Sequence, residues 1–506
     1  MDHIAIDIFR DTAGGSGAFI LSDNGKGTFI VGDVDGLIDE VYPYPNDEFL
    51  DSTNIVTADA RKFRLHGSFP RKDVIVYDIP TLTGHQNVFQ SAKAILGEDR
   101  ARELADSEAR VEASIRTAQA ARIDLDEQKL IDLVPLGFIR RMVELRTMCA
   151  NAVFEKILSD SPGVIERYAE ETWPSLSALI NVESRGVHID RGFCEHSLKE
   201  ERWSDHERSF FRSCLALSKR DGRVYFRMNL VGTKTGRMSV ESGFNVHGIP
   251  RGEARRAIVP RPRKHRGSWL PIDGKDKPSV WVEDYPEKCR IVSLDYNAID
   301  YRSIIAADFP GMEELRKHFS GRDDFHSATM ELLFGNPDPE PDVRNAMKQI
   351  TYSALYGASL ETVARTSGIS VETASKIMRK FDERMGSVLD FKRDLHRRSI
   401  ESGHVETPHG TRVPVEPDFT PGKVLGLYAQ TFSSWIFRKG LEQSGVPMML
   451  VHDEMVFDVS RLQPRGELYG TSSSLECMER DALVSFNGME FRAKAQEGRD
   501  YFEATT

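Results

Sequence analysis

The sequence predicts a multidomain α+β protein. The chain has 506 residues, too many for one hydrophobic core, so two or three domains are expected. Residues 1 to about 90 are β-branched and aromatic runs punctuated by Gly, Asn and Asp, the pattern of short strands. From Ser91 onward apolar residues recur mainly at helical spacing, with strand-like segments returning at intervals.

Taken in order, HIAIDIF, GAFILSD, GTFIVGD, NIVTAD and DVIVYDI predict five strands. Ser91 to about Arg122 reads as helical and charged, and Asp126 to Leu158 as a second helical stretch, broken by SDSPG. Helix signals return from Ile165 to Val182. SRGVHID is a turn into a new element, and a helix over about Phe193 to Ser218 ends at KRDG. Then come a strand IVSLD, a helical run, a helix in PDVRNAMKQITYSALYG and a long helix from about Val371 to Glu401. A hairpin in GHVETPHGTRVPV and a helix from about Lys423 to Gln443 follow. Residues 271–288, rich in Pro and charge, predict a loop insertion. There is no internal repeat and no low-complexity tract.

A composition of 40% hydrophobic and 29% charged residues is that of a soluble globular protein. No apolar run is long enough to predict a membrane span. The start, MDHIAIDIFRD, lacks the basic and apolar regions of a secretory signal. Five scattered cysteines without a CxxC suit a reducing cytosol and argue against a zinc site or disulfide framework. The net charge of −11 argues mildly against a nucleic-acid partner, but a net figure hides patches, and Arg251 to Gly267, RGEARRAIVPRPRKHRG, is dense in Arg and Lys.

Three elements carry chemistry. In MLVHDEMVFDV, two short apolar β-prone runs flank His452, Asp453 and Glu454, so a hairpin with an acidic tip is expected. Carboxylates beside a buried sheet are costly, and a divalent cation offsets that cost; for the lone tripeptide, a turn whose acids simply face water is the commoner reading. A second apolar strand, IVSLD, ends in Asp295. A strand-end Asp facing a strand-tip Asp is how two-metal phosphoryl-transfer sites are built, and oxygen ligands completed by substrate phosphates favour Mg²⁺. In the third element, Arg344, Lys348, Tyr352 and Tyr356 are spaced by four and fan over one helix face. That is suitable reach for phosphates, a sugar and a base, although a surface helix with its tyrosines packed inward gives the same pattern.

Together these elements closely resemble motifs A, B and C of the family A DNA polymerases, the DNA polymerase I family. Motif A, usually DYSQIELR, is Asp295-Tyr-Asn-Ala-Ile-Asp300-Tyr-Arg302. Motif B is Arg344, Lys348, Tyr352, Tyr356 and Gly357, and motif C is VHDE. Supporting pieces follow in the family's order: TKTGRMS, HGIP, DDFHSAT, HVETPHGTR, Gln430 in the place of the Gln of Q-G-T-A, and EGRDYFEA. The resemblance runs from about Trp173 to the end.

It implies a right-hand polymerase with palm, fingers and a reduced thumb, preceded by an RNase H-like, exonuclease-like α/β domain. The implied boundaries are 1–125 for that domain, 126–170 for a helical linker, 171–235 for the thumb and palm entry, and 236–506 for palm and fingers, with fingers at about 310–400. The implied activity is template-directed addition of dNTPs to a primer 3′-hydroxyl. Asp295, Asp453 and the Tyr296 carbonyl would hold two Mg²⁺, or Mn²⁺ in their place, supported by Glu454. Arg344, Lys348 and His326 would hold the triphosphate, with Lys348 also protonating the leaving group. Tyr352 and Asp300 would sit by the sugar and Tyr356 by the templating base. Arg237, Gln430, His452, Arg302, Arg251, Arg255 and Arg256 would contact DNA. The implied partners are primer-template DNA, dNTPs and a processivity factor or other replisome protein, in a cytoplasm, that of a bacterial host for a phage enzyme. A single-subunit RNA polymerase and an inactive DNA-binding homologue are the alternatives; VHDE, TGR and Gln430 favour the DNA enzyme over the first, and both aspartates and Lys348 argue against the second.

Four departures qualify the transfer. Asp300 replaces the usual Glu, one methylene shorter, which predicts weaker rejection of ribonucleotides. Tyr352 stands where many members have Phe, which predicts ready use of dideoxynucleotides. The interval from Asp190 to Thr235 is short, so the thumb is small and processivity low without a partner. The Asp-x-Glu of an editing exonuclease reads Asp7-Ile8-Phe9, and Arg64 stands where a second Asp is expected, so a degenerate, non-editing domain is expected, the alternative being a domain that was never an exonuclease.

Overall fold

The computed structural model describes residues 3–10, 16–21, 27–32, 54–58, 75–83, 87–120, 136–218, 222–260, 269–271, 278–281, 290–335, 347, 350–351, 353, 355–459 and 475–505. The chain divides into two units, Met1–Ser184 and Arg185–Thr506.

The first unit is built on a mixed sheet of β1 (His3–Arg10), β2 (Ser16–Leu21), β3 (Gly27–Gly32), β4 (Asn54–Thr57) and β5 (Val76–Asp78), in the order β3-β2-β1-β4-β5. The first three strands are antiparallel and β1, β4 and β5 are parallel. The helices that follow are α1 (Ile79–Thr83), α2 (Val88–Leu96), α3 (Glu98–Ala120) and α4 (Leu136–Asp160). Helix α4 lies against β1, β2 and β4 and packs with α2 and α3. Its Val143, Val153 and Phe154 are buried, as are Val56, Val76 and Tyr77 of the strands, which is the apolar burial that holds a helix on a sheet. Helix α5 (Pro162–Arg167), a π-helical turn (Tyr168–Thr172) and α6 (Trp173–Arg185) follow.

The second unit begins with β6 (Val187–His188), α7 (Arg191–Ser197), α8 (Asp205–Leu217), β7 (Arg223–Val224), β8 (Phe226–Asn229) and β9 (Ser239–Gly243). The helix expected over Phe193 to Ser218 is therefore two. The second starts at Ser204, whose side chain accepts from the Glu207 N–H while Glu207 accepts from the Ser204 N–H, a capping box. In the stretch expected as a loop insertion, β10 (Trp269–Pro271) pairs with β11 (Pro278–Trp281); the rest of 271–288 lies outside the described residues.

The central sheet has the order β15-β16-β12-β19, all antiparallel. Its middle strand, β12 (Ile291–Tyr296), is buried at every position but Asp295, as a strand covered on both faces requires. After it come α9 (Ile299–Ile305), α10 (Met312–Phe319), α11 (Phe325–Phe334), α12 (Leu360–Ser367), α13 (Val371–Arg384) and α14 (Gly386–Ser402). The expected long helix from Val371 to Glu401 is interrupted at Met385, whose backbone (φ −112°, ψ 21°) leaves the helical region. A short hairpin, β13 (His404–Glu406) with β14 (Arg412–Pro414), leads to α15 (Pro421–Gln443). The chain ends with β15 (Met449–Val451), β16 (Glu454–Asp458), α16 (Leu475–Asp481), β17 (Val484–Phe486), β18 (Met489–Phe491) and β19 (Ala493–Gly498).

Helix α15 packs on α9 and α14, and two of its glycines permit close approach. A Cβ on Gly440 would lie 1.8 Å from the Tyr296 hydroxyl, and one on Gly422 would lie 2.1 Å from the Tyr356 carbonyl. The helix thus rests directly on the tyrosine that ends β12 and on the last turn of the motif B segment.

Candidate active site

The pairing of β12 with β16 sets Asp295 opposite Glu454, and beyond them the Tyr296 N–H donates to the Asp453 carbonyl at 3.2 Å. The end of the strand and the tip of the hairpin are thereby adjacent. The tip is a two-residue turn of His452 and Asp453. Glu454, expected at the tip, is instead the first residue of β16 and only 9% exposed. Its carboxylate accepts from Ser293 Oγ at 2.6 Å and from Tyr501 Oη at 2.8 Å, which satisfies a buried charge. Burial and then the Glu454 charge push the Tyr501 phenol above its ordinary range, so it stays a donor.

Asp295, Asp453, Glu454 and Asp300 line one cavity of about 570 Å³ together with Tyr296. His326, His452, Arg251 and Arg255 also border it. Its walls include two of the three non-glycine residues with left-handed backbone among those described, Ala298 (φ 51°) and His452 (φ 56°). Strain of this kind is held in place by surrounding structure and concentrates at functional sites. The His452 ring stacks on His247, with centroids 4.9 Å apart; burial, and then the His452 charge, lower the His247 pKa to about 4.

The electrostatics centre on Arg237. Its Nη2 donates to both Asp300 oxygens, at 3.0 and 3.2 Å, and lies 3.7 Å from Asp453 Oδ2. Burial works against the Arg237 charge, but Asp300 and Asp453 outweigh it and raise its pKa. The Asp453 carboxyl is raised by burial, opposed by Arg237, with Asp300 adding to the rise. Ser433 Oγ donates to Asp300 Oδ1 at 2.6 Å.

Of the other expected residues, Arg344, Lys348 and Tyr352 lie outside the described residues, as do Arg64 and residues 261–268. Tyr356 is half-buried, with its ring against Gly426 of α15. Gln430 is half-buried on the same helix. His326 is buried, edge-on to Tyr301. Arg251 is exposed. Arg255 lies over the Tyr501 ring and Arg256 over Phe502, with Arg256 also paired to Asp500 at 3.1 Å. Arg302, expected at DNA, is a correction. It is wholly buried, and its guanidinium donates to the carbonyls of Asn297, Phe319, Arg322 and Glu490. Burial, and then the neighbouring Arg492 charge, lower its pKa to about 10. It ties α9 to distant segments of chain and does not serve as a phosphate contact.

Sequence reasoning missed Ser293, Tyr501 and Ser433. Ser293 was within reach, since two residues before Asp295 on a strand is the same face. Ser433 stands where Q-G-T-A has Ala, a departure that signals a new hydrogen bond once the partner is known.

Among the described residues no group of three or more His, Cys, Asp or Glu side chains is arranged to hold a metal ion unaided. Asp295 and Asp453, which line the same cavity, nevertheless offer the oxygen donors that a hard divalent cation takes when water and phosphate oxygens complete its shell.

The solved POL domain of Pol1 from M. smegmatis, in a complex with DNA primer-template and dNTP, superposes with a TM-score of 0.64 at 16% identity, covering 100% of this chain and 96% of that one. The fold is therefore that of a polymerase domain of mixed helix and sheet. Residues 196–421 match the family model for DNA polymerase family A. The DNA polymerase of Mycobacterium phage D29 is 30% identical over 176 residues, 33% of this chain and 28% of that protein. The thermostable DNA polymerase I of Thermus aquaticus is 27% identical over 262 residues, 48% of this chain and 29% of that one, and DNA polymerase I of Synechocystis is 30% identical over 191 residues, 38% and 17%. Residues 196–421, under half of the chain, are thus similar to DNA polymerase family A. The matched region spans less than a third of each of these relatives' length. No helix among the described residues is long and apolar enough to cross a membrane.

Proposed function

We propose that the chain is a template-directed DNA polymerase that adds dNTPs to a primer 3′-hydroxyl. The observation that carries this is the Tyr296–Asp453 backbone bond, which seats the Asp295 end of β12 beside the Asp453 hairpin tip at one cavity. Asp295, Asp453 and the Tyr296 carbonyl would hold two Mg²⁺, with Mn²⁺ as a substitute. Bound there, the ions lower the pKa of the primer hydroxyl and neutralise charge on the attacking and leaving oxygens.

The chain's own groups do the rest. The 3′-hydroxyl gives up its proton to water, its oxygen bonds to the α-phosphorus, and the bond to the pyrophosphate oxygen breaks. Glu454, fixed by Ser293 and Tyr501, orients the strand beneath Asp295 and acts through position. Arg344, Lys348 and His326 bind the triphosphate, and Lys348 supplies a proton to pyrophosphate. Tyr352 and Asp300 face the sugar, and Tyr356 the templating base. Arg237 and Gln430 read minor-groove acceptors common to correct pairs. His452 borders the primer end, and Arg251, Arg255 and Arg256 meet phosphates.

In this reading residues 236–506 are palm and fingers, with fingers at about 310–400; residues 171–235 are a reduced thumb, 126–170 a linker and 1–125 an exonuclease-like domain without editing carboxylates. The strand order β3-β2-β1-β4-β5, antiparallel then parallel, supports an RNase H-like ancestry for that domain. A small thumb implies a processivity partner, and a phage-like enzyme implies the host cytoplasm.

Primer extension with Mg²⁺ on a defined template tests the reading. Template-matched extension with dNTPs, abolished by Asp453→Ala, is expected. No extension, or extension only with rNTPs, would overturn it.

A further inference from the structure

The Asp300 carboxylate is more heavily engaged than a wall of a nucleotide cavity needs to be. It sits in the first turn of α9, its side chain 15% exposed. Oδ1 accepts from Ser433 Oγ at 2.6 Å and from Arg237 Nη2 at 3.0 Å, and Oδ2 accepts from the same Nη2 at 3.2 Å. Ser433 is wholly buried on α15. Its single hydroxyl proton has two acceptors in reach, Asp300 and the Gln430 carbonyl at 3.1 Å; the shorter, charge-assisted bond wins. The next residue, Ser434, donates to the Gly236 carbonyl, so α15 also fixes the loop that carries Arg237. One helix positions both partners of Asp300.

An ionised carboxylate has about four acceptor directions. Ser433 and Arg237 take both directions of Oδ1 and one of Oδ2. The same Nη2 lies 3.7 Å from Asp453 Oδ2, so a single nitrogen separates Asp300 from the carboxylate that faces the reacting phosphate. In a nucleoside triphosphate the group next to that phosphate is the sugar.

We propose, resting on the polymerase reading above, that Ser433 is a specificity-determining positioning residue: with Arg237 it occupies most of the Asp300 acceptor directions and so weakens Asp300 as a hydrogen-bond partner for a ribose 2′-hydroxyl. A 2′-hydroxyl brought to this wall leaves water and finds little to replace it, which is unfavourable. A free carboxylate at the same place would welcome that hydroxyl. Aspartate is too short to exclude it by bulk alone, so the discrimination this site retains comes from acceptor occupancy. The Ser433 clamp is thus the chemical partner of the shortened side chain at 300.

The test is single-nucleotide insertion by the full chain, measuring kcat and KM for a dNTP and the matching rNTP. Ser433→Ala is expected to lower the dNTP-over-rNTP ratio of kcat/KM about tenfold, chiefly through a lower KM for the rNTP. Ser433→Cys, close in size but a weak donor, is expected to do the same and guards against a packing defect in the alanine variant. A purely structural role lowers both substrates in proportion; an unchanged or increased ratio in both variants therefore overturns the proposal. Failure of the unaltered chain to extend with dNTPs overturns the polymerase reading, and the proposal with it.

Discussion

The Tyr296 N–H donates to the Asp453 carbonyl at 3.2 Å, so main-chain pairing joins the acidic end of β12 to the acidic tip of the hairpin. Side chains at 295 and 453 can therefore be exchanged without dismantling the sheet that carries them.

Arg302→Lys should destabilise the second unit by at least about 2 kcal/mol, because a lysine cannot fork to four carbonyls and leaves buried acceptors unsatisfied. Urea denaturation measures this. The slope of log DNA affinity against log salt should not change; a slope shallower by about one would mean a lost phosphate contact.

Tyr501→Phe should cost about 1–3 kcal/mol by removing a donor from buried Glu454. Ser293→Ala acts on the same carboxylate, so the two losses should not add. A thermal-denaturation double-mutant cycle with zero coupling would count against the network.

Gly440→Ala places a methyl 1.8 Å from the Tyr296 hydroxyl. Either α15 or the tyrosine must move, and the tyrosine would lose its bond to the Ala482 carbonyl. A loss of about 1–3 kcal/mol is expected, with reduced primer extension because Tyr296 adjoins Asp295.

Acid should weaken the fold through His409. Burial, aided by the charges of Arg438 and Lys439, lowers its pKa to about 3, from about 6.5 when unfolded. Between those values the unfolded chain binds more protons, so stability rises with pH in this window and is lost as pH falls through it. His409→Phe keeps a ring against Phe432 and Trp435 and should flatten the slope of melting temperature against pH from 4 to 7. An unchanged slope would remove His409 as its source.

Much of this site was legible because its parts are local. An apolar strand ending in Asp295 and two apolar runs around Asp453 announce themselves by alternation and length, and α15 by its helical period. What failed to show was long-range satisfaction. Arg302 looks like any motif arginine until its acceptors, the carbonyls of Phe319, Arg322 and Glu490, are brought to it by folding, and backbone carbonyls leave no mark in sequence. Glu454 was placed at the tip because a tripeptide of polar residues does not reveal which member starts the next strand. The break between α7 and α8 was readable in Ser204-x-x-Glu207, but the continuous apolar period across Phe193 to Ser218 obscured it.

The most direct test of the proposed cation site is single-turnover primer extension by Asp295→Ala, Asp453→Ala and the double variant. A metal ion acting as a Lewis acid supplies several kcal/mol of transition-state stabilisation, so each single change should slow extension about a thousandfold, and the double variant should be hardly slower than either. Near-normal extension by either single variant, or losses that multiply in the double, would contradict the account.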